Sequence, residues 1–228
     1  MSKLILVRHG QSEWNLANRF TGWWDVELTA RGVAEAEAAG ALMRDKDILP
    51  TLGFTSLQTR AIKTLNLALE ACGRLWIPVI KDWRLNERHY GGLTGLDKQQ
   101  MRELHGDEQV HIWRRSFDVP PPDLGEGSEF DLAGDPRYAG VTVPRAESLK
   151  LTIERVLPYW KSAILPHLGK GETVIVSAHG NSLRALVKHL SGISDADIPG
   201  LEIPTGQPIV YDFEGTSVTG ERVYLKDI

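Results

Sequence analysis

Short apolar runs recur along the chain and alternate with stretches of helical periodicity. The first run, at residues 4–7, stops at Arg8-His9-Gly10, and a second occupies 173–178. Shorter strand candidates end at 54–56 and lie at 78–80. Continuous apolar runs of this length are typical of strands covered on both faces, as in a parallel sheet. They therefore predict a sheet that is buried between layers of helices.

Helical periodicity fills the intervals between these runs. Thr29 is a predicted N-cap, and Pro158 is expected to kink the longest helix. The predicted helices span 30–44, 57–72, 97–105, 107–115, 147–168 and 183–190, and two late strands are predicted at 209–213 and 223–225. The alternation predicts an α/β fold with a mostly parallel central sheet and helices on both faces.

Residues 118–137 interrupt the alternation, because they are rich in proline, glycine and acidic residues and show little periodicity. A stretch of this length inside a compact domain is either a functional loop or a disordered segment. No linker divides the chain, so we expect one catalytic domain over 1–228, with 118–137 as an inserted loop.

Composition narrows the possible functions. The 228 residues carry a net charge of −4, which disfavours a nucleic-acid partner but leaves an anionic small molecule possible. Cys72 is the one cysteine and lies in an apolar helical run, so we expect it to be buried in a protein of a reducing compartment. The N-terminal apolar run is too short for a signal peptide and no run could span a bilayer, so we expect a cytoplasmic protein that does not bind membranes.

Two distant segments share one local pattern. Residues 4–12 read LILVRHGQS and residues 173–182 read TVIVSAHGNS, each an apolar strand followed by His-Gly, a polar residue and serine. Ligands of open parallel sheets bind beyond the carboxyl ends of the strands. If the two strands are neighbours, His9 and His179 face one pocket.

The residues around these histidines suit phosphoryl transfer. A neutral imidazole can attack a phosphoryl group, and the guanidinium groups of Arg8 and Arg60 suit its oxygens. Gly10 and Gly180 allow the backbone to bend and bring N–H groups close to an anion. A single histidine after a strand is usually structural, but two such units with two arginines favour a phosphoryl-transfer site. The other five histidines show no metal-ligand spacing, so no metal is expected.

Longer motifs make the sequence similar to a known family. The segments RHGQSEWN (8–15), FTGW (20–23), LNERHYG (85–91), WRR (113–115), AHGNSLR (178–184) and IPTG (203–206) resemble the histidine phosphatase superfamily, specifically its 2,3-bisphosphoglycerate-dependent phosphoglycerate mutase branch. The resemblance covers nearly the whole chain, and LNERHYG and the Trp-Arg-Arg segment are far more specific than RHG alone.

The resemblance implies a role for each matching residue. His9 would be the phosphorylated nucleophile and Glu87 the proton donor and acceptor, while His179, Arg8 and Arg60 would stabilise the transferring group. The implied substrate-binding residues are Ser12, Asn15, Thr21, Gly22, Arg88, Tyr90, Lys98, Arg114, Arg115, Gly180 and Asn181. Arg184, inside the following helix, is interpreted as a structural ion-pair partner.

The implied reaction is the interconversion of 3-phosphoglycerate and 2-phosphoglycerate, primed by 2,3-bisphosphoglycerate without a metal, in a homo-oligomer. Three alternatives stay open: a histidine-type phosphatase, a bisphosphoglycerate synthase and a non-catalytic phospholigand-binding protein. LNERHYG and Arg114-Arg115 favour the mutase over the phosphatase. The presence of His9, Arg60, Glu87 and His179 disfavours the non-catalytic protein.

Two departures from the family pattern lead to a further expectation. Gln11 stands where many relatives carry glutamate, a change that we expect to be tolerated. The sequence ends at Lys226-Asp227-Ile228, soon after the last predicted strand, whereas many relatives carry a further mobile segment that covers the site. Water must be kept from a phosphohistidine. We therefore expect 118–137 to do most of the covering.

Overall fold

The computed structural model describes all residues from 1 to 228 and is built on one six-stranded sheet. The strands lie in the order β3-β2-β4-β1-β5-β6. The first four are mutually parallel, while β5 pairs antiparallel with both β1 and β6. The strands are β1 (Ser2–Arg8), β2 (Leu52–Thr55), β3 (Val79–Lys81), β4 (Val174–Ala178), β5 (Ile209–Glu214) and β6 (Ser217–Tyr224).

Eight α-helices surround this sheet. They are α1 (Glu13–Leu16), α2 (Ala30–Asp45), α3 (Thr59–Ala71), α4 (Lys98–His105), α5 (Asp107–Arg115), α6 (Leu149–Tyr159), α7 (Leu165–Gly169) and α8 (Gly180–Leu190). Thr29 caps α2 as predicted, because its hydroxyl accepts a hydrogen bond from the amide of Gly32 at 3.1 Å. None of these helices is both long and apolar enough to cross a bilayer.

Alternate strand residues face opposite layers, and this periodicity divides the core. Leu4 and Leu6 pack with α6 and α8 on one side of the sheet, whereas Ile5 and Val7 pack with α2 and α3 on the other. Cys72 is buried in the second of these clusters. The predicted mostly parallel sheet with helices on both faces is confirmed.

The predicted helix over 147–168 is wrong in its middle section. In the structure, this region consists of α6, a π-helical segment from Trp160 to Ile164, and α7. Pro166 has no amide hydrogen, so the carbonyl of Ser162 lacks its usual α-helical donor. The Ser162 hydroxyl donates to the carbonyl of Pro158 at 2.8 Å. The amide of Leu165 bonds the carbonyl of Trp160, five residues earlier, which is the π-helical pattern.

The topology brings the two His-Gly segments together. In the parallel pairing of β1 with β4, Arg8 lies opposite Ala178, so His9 and His179 leave the sheet at the same edge. Strand β2 pairs with the other side of β4, and its last residue Thr55 lies opposite Ser177. Residues that follow these three strands therefore meet at one place.

Candidate active site

Two buried imidazoles lie in contact where these strands end. The ring centroids of His9 and His179 are 5.0 Å apart, and the ring planes are inclined by 59°. Nδ1 of His9 lies 2.7 Å from the carbonyl oxygen of Gly10, which can only accept. Nδ1 of neutral His9 therefore carries the proton, and the lone pair is on Nε2.

Both histidines are held neutral. Burial lowers the pKa of His9 well below its usual value, and the charges of Arg60 and Arg8 lower it further. Burial also lowers the pKa of His179, with Arg60 as the next cause. Nε2 of His179 lies 2.8 Å from the hydroxyl of Ser56, while its Nδ1 is buried without a partner. A neutral imidazole is the nucleophilic form, so His9 is ready to react near neutral pH.

Two arginines approach the histidines from different elements. Arg60, in the first turn of α3, is buried and donates to the carbonyls of Gly22 at 2.9 Å and Trp24 at 3.0 Å. Burial lowers its pKa to about 10, so it stays a cation at neutral pH. Arg8, the last residue of β1, donates to the carbonyl of Ile203 at 2.8 Å, and its Nε is buried without a partner.

Glu87 is a buried carboxylate fixed by backbone amides. Its Oε1 accepts from the amide of Arg88 at 2.8 Å and from the amide of Asn181, in the first turn of α8, at 3.0 Å. Gln58 fixes the same loop, since its Oε1 accepts from the amide of Glu87 at 2.8 Å and its Nε2 donates to Gly22 at 2.8 Å. The carboxylate is therefore pre-positioned at a helix N-terminus.

A Cβ at Gly180 would lie 3.6 Å from Oε2 of Glu87 and 3.7 Å from the guanidinium carbon of Arg8. Gly180 thus lies between a carboxylate and a guanidinium, and the backbone there can come close to a ligand.

The groups enclose a cavity of about 120 Å³ with a strongly cationic lining. Its basic residues other than histidine are Arg8, Arg19, Arg60, Lys98, Arg114, Arg115 and Arg184, and its acidic residues are Glu87 and Glu202. Burial lowers the pKa of Lys98 to about 8, and its ammonium donates to the carbonyl of Arg19 at 2.6 Å. Such an excess of positive charge in a small cavity is suited to a compact polyanion.

The structure brings most of the predicted site residues to this cavity. The predicted residues that line it are Arg8, His9, Asn15, Thr21, Gly22, Arg60, Glu87, Tyr90, Lys98, Arg114, Arg115, Gly180 and Asn181. His179 lies directly behind the lining, against the ring of His9.

Two predicted substrate-binding residues lie outside the lining. Ser12 caps α1, where its hydroxyl accepts from the amide of Asn15 at 3.2 Å and the Asn15 side chain accepts from the Ser12 amide. Arg88 is buried beneath Tyr90 and donates to the carbonyls of Trp113 at 2.9 Å and Arg114 at 3.1 Å. Both residues support neighbouring site residues in this structure, and their predicted contact with a ligand stays a prediction.

The sequence did not indicate the whole lining. Arg184 is predicted to be an ion-pair partner, but it makes no ion pair and donates instead to Asn181 at 2.9 Å and to the carbonyl of Ile198 at 2.7 Å. Its spacing of three residues from Asn181 on one face of α8 could have indicated this. The other unpredicted lining residues are Arg19, Phe20, Glu202 and Ile203.

Residues 118–137 are placed beside the cavity, and none of them lines it. Phe130 packs edge-on against Trp14 and Trp24, and Leu132 packs with Trp23. The segment therefore backs the wall that contains Thr21 and Gly22, and its covering role stays a prediction. No group of three or more His, Cys, Asp or Glu side chains is placed to hold a metal ion.

Known proteins are similar to this chain in sequence or in fold. Proteins named 2,3-bisphosphoglycerate-dependent phosphoglycerate mutase from Erythrobacter litoralis and Novosphingobium aromaticivorans are 74% and 72% identical to the chain, each over the full length of both proteins. Among solved structures, a phosphoglycerate mutase from Bacillus anthracis matches with a TM-score of 0.70 at 22% identity, covering 97% of this chain and 92% of that one. The last match concerns the fold alone.

The model of branch 1 of the histidine phosphatase superfamily matches residues 4–225, and these residues include both His-Gly segments. The resemblance seen in the sequence is thereby confirmed. The chain belongs to branch 1 of the histidine phosphatase superfamily and, within it, to the family of the 2,3-bisphosphoglycerate-dependent phosphoglycerate mutases.

Proposed function

We propose that this protein is a phosphoglycerate mutase that interconverts 3-phosphoglycerate and 2-phosphoglycerate, with 2,3-bisphosphoglycerate as its phosphoryl primer. One observation carries the proposal: a neutral His9, with the lone pair on Nε2, lies in a cavity lined by seven other basic side chains. The names of relatives that match over the full chain support the same reaction.

In the proposed chemistry, the primer first phosphorylates Nε2 of His9. The phosphohistidine then passes its phosphoryl group to the free hydroxyl of 3-phosphoglycerate, so that the P–N bond breaks and a P–O bond forms. Nε2 of His9 next attacks the other phosphate of the resulting bisphosphoglycerate, so that a P–N bond forms again and 2-phosphoglycerate leaves. The Glu87 carboxylate takes the proton of the substrate hydroxyl in the first transfer. It returns that proton to the departing alkoxide in the second transfer, so the cycle balances.

Arg8 and Arg60 neutralise charge on the phosphoryl oxygens. When the Ser56 hydroxyl donates to Nε2 of His179, the proton of that imidazole is on Nδ1, which has no other partner and can donate to the phosphoryl group.

The outer part of the cavity holds the rest of the substrate in this proposal. Lys98 lines the cavity from α4, and Arg114 and Arg115 line it from the end of α5. These three cations can bind a carboxylate or a second phosphate. The same groups fit the polyanionic primer. The remaining proposed ligand-binding residues are Asn15, Thr21, Gly22, Tyr90, Gly180 and Asn181.

A paired assay tests this function against the phosphatase and synthase alternatives. Formation of 2-phosphoglycerate from 3-phosphoglycerate is followed with and without a trace of 2,3-bisphosphoglycerate, while released phosphate and accumulated bisphosphoglycerate are measured in the same samples. We expect primer-dependent mutase turnover with phosphate release as a minor product. Phosphate release that matches substrate loss would establish a phosphatase, and net bisphosphoglycerate accumulation would establish a synthase.

Assembly and location complete the proposal. Strand β3 is an edge strand with one unpaired side. Its residue Ile80 is 42% exposed, and Trp76, just before the strand, is 72% exposed. An apolar edge of this kind suits antiparallel pairing with a second copy of the chain, so we expect a homo-oligomer. Sedimentation of the wild type and of Trp76→Lys tests assembly, since the variant is expected to form a smaller particle.

The cellular location is proposed from the one cysteine. Cys72 is buried and unpaired, which suits the reducing cytoplasm.

A further inference from the structure

One acidic residue in the cationic cavity has no part in the chemistry above. Glu202 and Glu87 are the acidic residues of the lining, and Glu87 is assigned to proton transfer. Glu202 lies between the buried residues Leu201 and Ile203, and the carbonyl of Ile203 accepts from Arg8. The backbone at Glu202 is therefore anchored to the floor of the site, while its carboxylate is at the outer rim.

The Glu202 carboxylate binds a cation that we assign to ligand binding. It forms an ion pair with Arg115, whose guanidinium is the partner of no other carboxylate in the structure. The adjacent Arg114 makes no ion pair. The Arg115 side chain is 21% exposed and the Glu202 side chain 69% exposed, so Glu202 can move into solvent and regain full hydration, whereas Arg115 stays in the lining.

We propose that Glu202 is an internal competitor for the anion site at Arg115, displaced each time an anionic ligand binds. An exposed ion pair of this kind is worth about 0.2–1 kcal/mol, so displacement weakens ligand binding without preventing it. The carboxylate returns to Arg115 as the ligand leaves. Glu202 thereby limits affinity and promotes product release from a cavity whose other lining charges hold polyanions tightly.

This inference rests on the proposed function only for the identity of the natural ligand. The competition itself concerns Arg115 and any anion that reaches it. A probe that is unrelated to phosphoglycerate chemistry can therefore separate the two.

The test is calorimetric titration of 3-phosphoglycerate into the unphosphorylated protein, which contains no primer and does not turn over. Glu202→Gln keeps the size of the side chain and removes the competing charge. We expect its dissociation constant to fall by about 1.5- to fivefold, the factor that corresponds to an exposed ion pair. Glu221→Gln is the matched control, because Glu221 is exposed on β6, makes no ion pair and lies outside the lining. An unchanged or weaker affinity in Glu202→Gln would overturn the proposal.

A double-mutant cycle shows whether the effect passes through Arg115. In an Arg115→Ala background the gain from Glu202→Gln is expected to disappear. A gain of the same size in that background would overturn the assignment of Arg115 as the contested group. Pyrophosphate is titrated in parallel. If it shows the Glu202 effect while 3-phosphoglycerate does not bind at all, the proposed function fails and the competition stands.

Discussion

The imidazole ring of His9 lies 5.0 Å from that of His179, although the two residues come from opposite ends of the chain. The parallel pairing of β1 with β4 produces this contact, because it ends both strands at the same level. Each ring is buried, and Arg60 lowers the pKa of both. The contact therefore joins two neutral imidazoles, which avoids the repulsion that two imidazolium ions would suffer at this distance.

The first prediction concerns the charge of His9. Its imidazole is expected to stay neutral at pH 6.5, where a free imidazole is half protonated, because burial and the charges of Arg60 and Arg8 lower its pKa. NMR titration of the labelled ring measures this directly. Arg60→Gln is expected to raise the midpoint, since it removes the largest charge effect. A midpoint near 6.5 in the wild type would show that the ring is solvated or stabilised as a cation.

The second prediction concerns Lys98, whose pKa burial lowers to about 8. Lys98 is a cation below this pH and neutral above it, so its help in binding anions is present at pH 7 and lost as the pH rises through 8. The KM for 3-phosphoglycerate is expected to rise by up to about tenfold between pH 7 and pH 9. Lys98→Arg should flatten this rise, because a guanidinium stays charged. An identical pH profile in the variant would remove Lys98 as the cause.

The third prediction concerns a buried ion pair behind Glu87. Arg155 of α6 donates to the carbonyls of Asn86 at 3.0 Å and Glu87 at 2.8 Å, and it pairs with Glu147 at 2.6 Å. The other oxygen of Glu147 accepts from the amide of His89 at 2.8 Å. The pair thus holds the backbone on both sides of the proposed acid–base group.

Arg155→Met is expected to lower kcat by about 10- to 100-fold with a smaller change in KM, since a displaced acid–base group affects the chemical step most. The loss of one partner from a buried pair also costs about 3–5 kcal/mol of folding stability. Rates are therefore measured at a temperature where circular dichroism shows the variant to be folded. Lys150→Met, exposed on the same helix, is the control. A folded Arg155→Met with an unchanged kcat would contradict the positioning role.

The fourth prediction concerns the close approach of the His9-Gly10 turn to α2. A Cβ at Gly32 would lie 2.1 Å from the carbonyl oxygen of Gln11, and a Cβ at Gly10 would lie 2.1 Å from the carbonyl oxygen of Gly32. Gly32→Ala should therefore destabilise the protein by about 1–3 kcal/mol, although alanine is the better helix former. Gly134→Ala, where no atom lies near the added methyl, is the matched control for chemical denaturation. A more stable Gly32→Ala would contradict the packing described here.

The local sequence was sufficient to place the centre of the site. Apolar runs that stop at His-Gly predict strand ends, and strand ends of a parallel sheet meet at one edge, so His9 and His179 could be placed together from the amino-acid sequence alone. Thr29 likewise predicted the start of α2 through its capping chemistry.

The roles of residues that contact distant segments of the chain could not be predicted in this way. Gln58 joins Gly22 to Glu87, and Glu202 meets Arg115 only because the loop before β5 returns to the end of α5. In each case the pairing is decided by tertiary packing, which local periodicity does not encode.

The most direct test of the account is the site and number of phosphoryl groups that the protein takes from its primer. The protein is incubated with radiolabelled 2,3-bisphosphoglycerate, separated from it, and analysed for acid-labile label by peptide mapping. We predict a single phosphoryl group per chain, on His9, that 3-phosphoglycerate removes, and no label in His9→Asn. Label on another residue, or mutase turnover that survives in His9→Asn, would contradict the central role of His9.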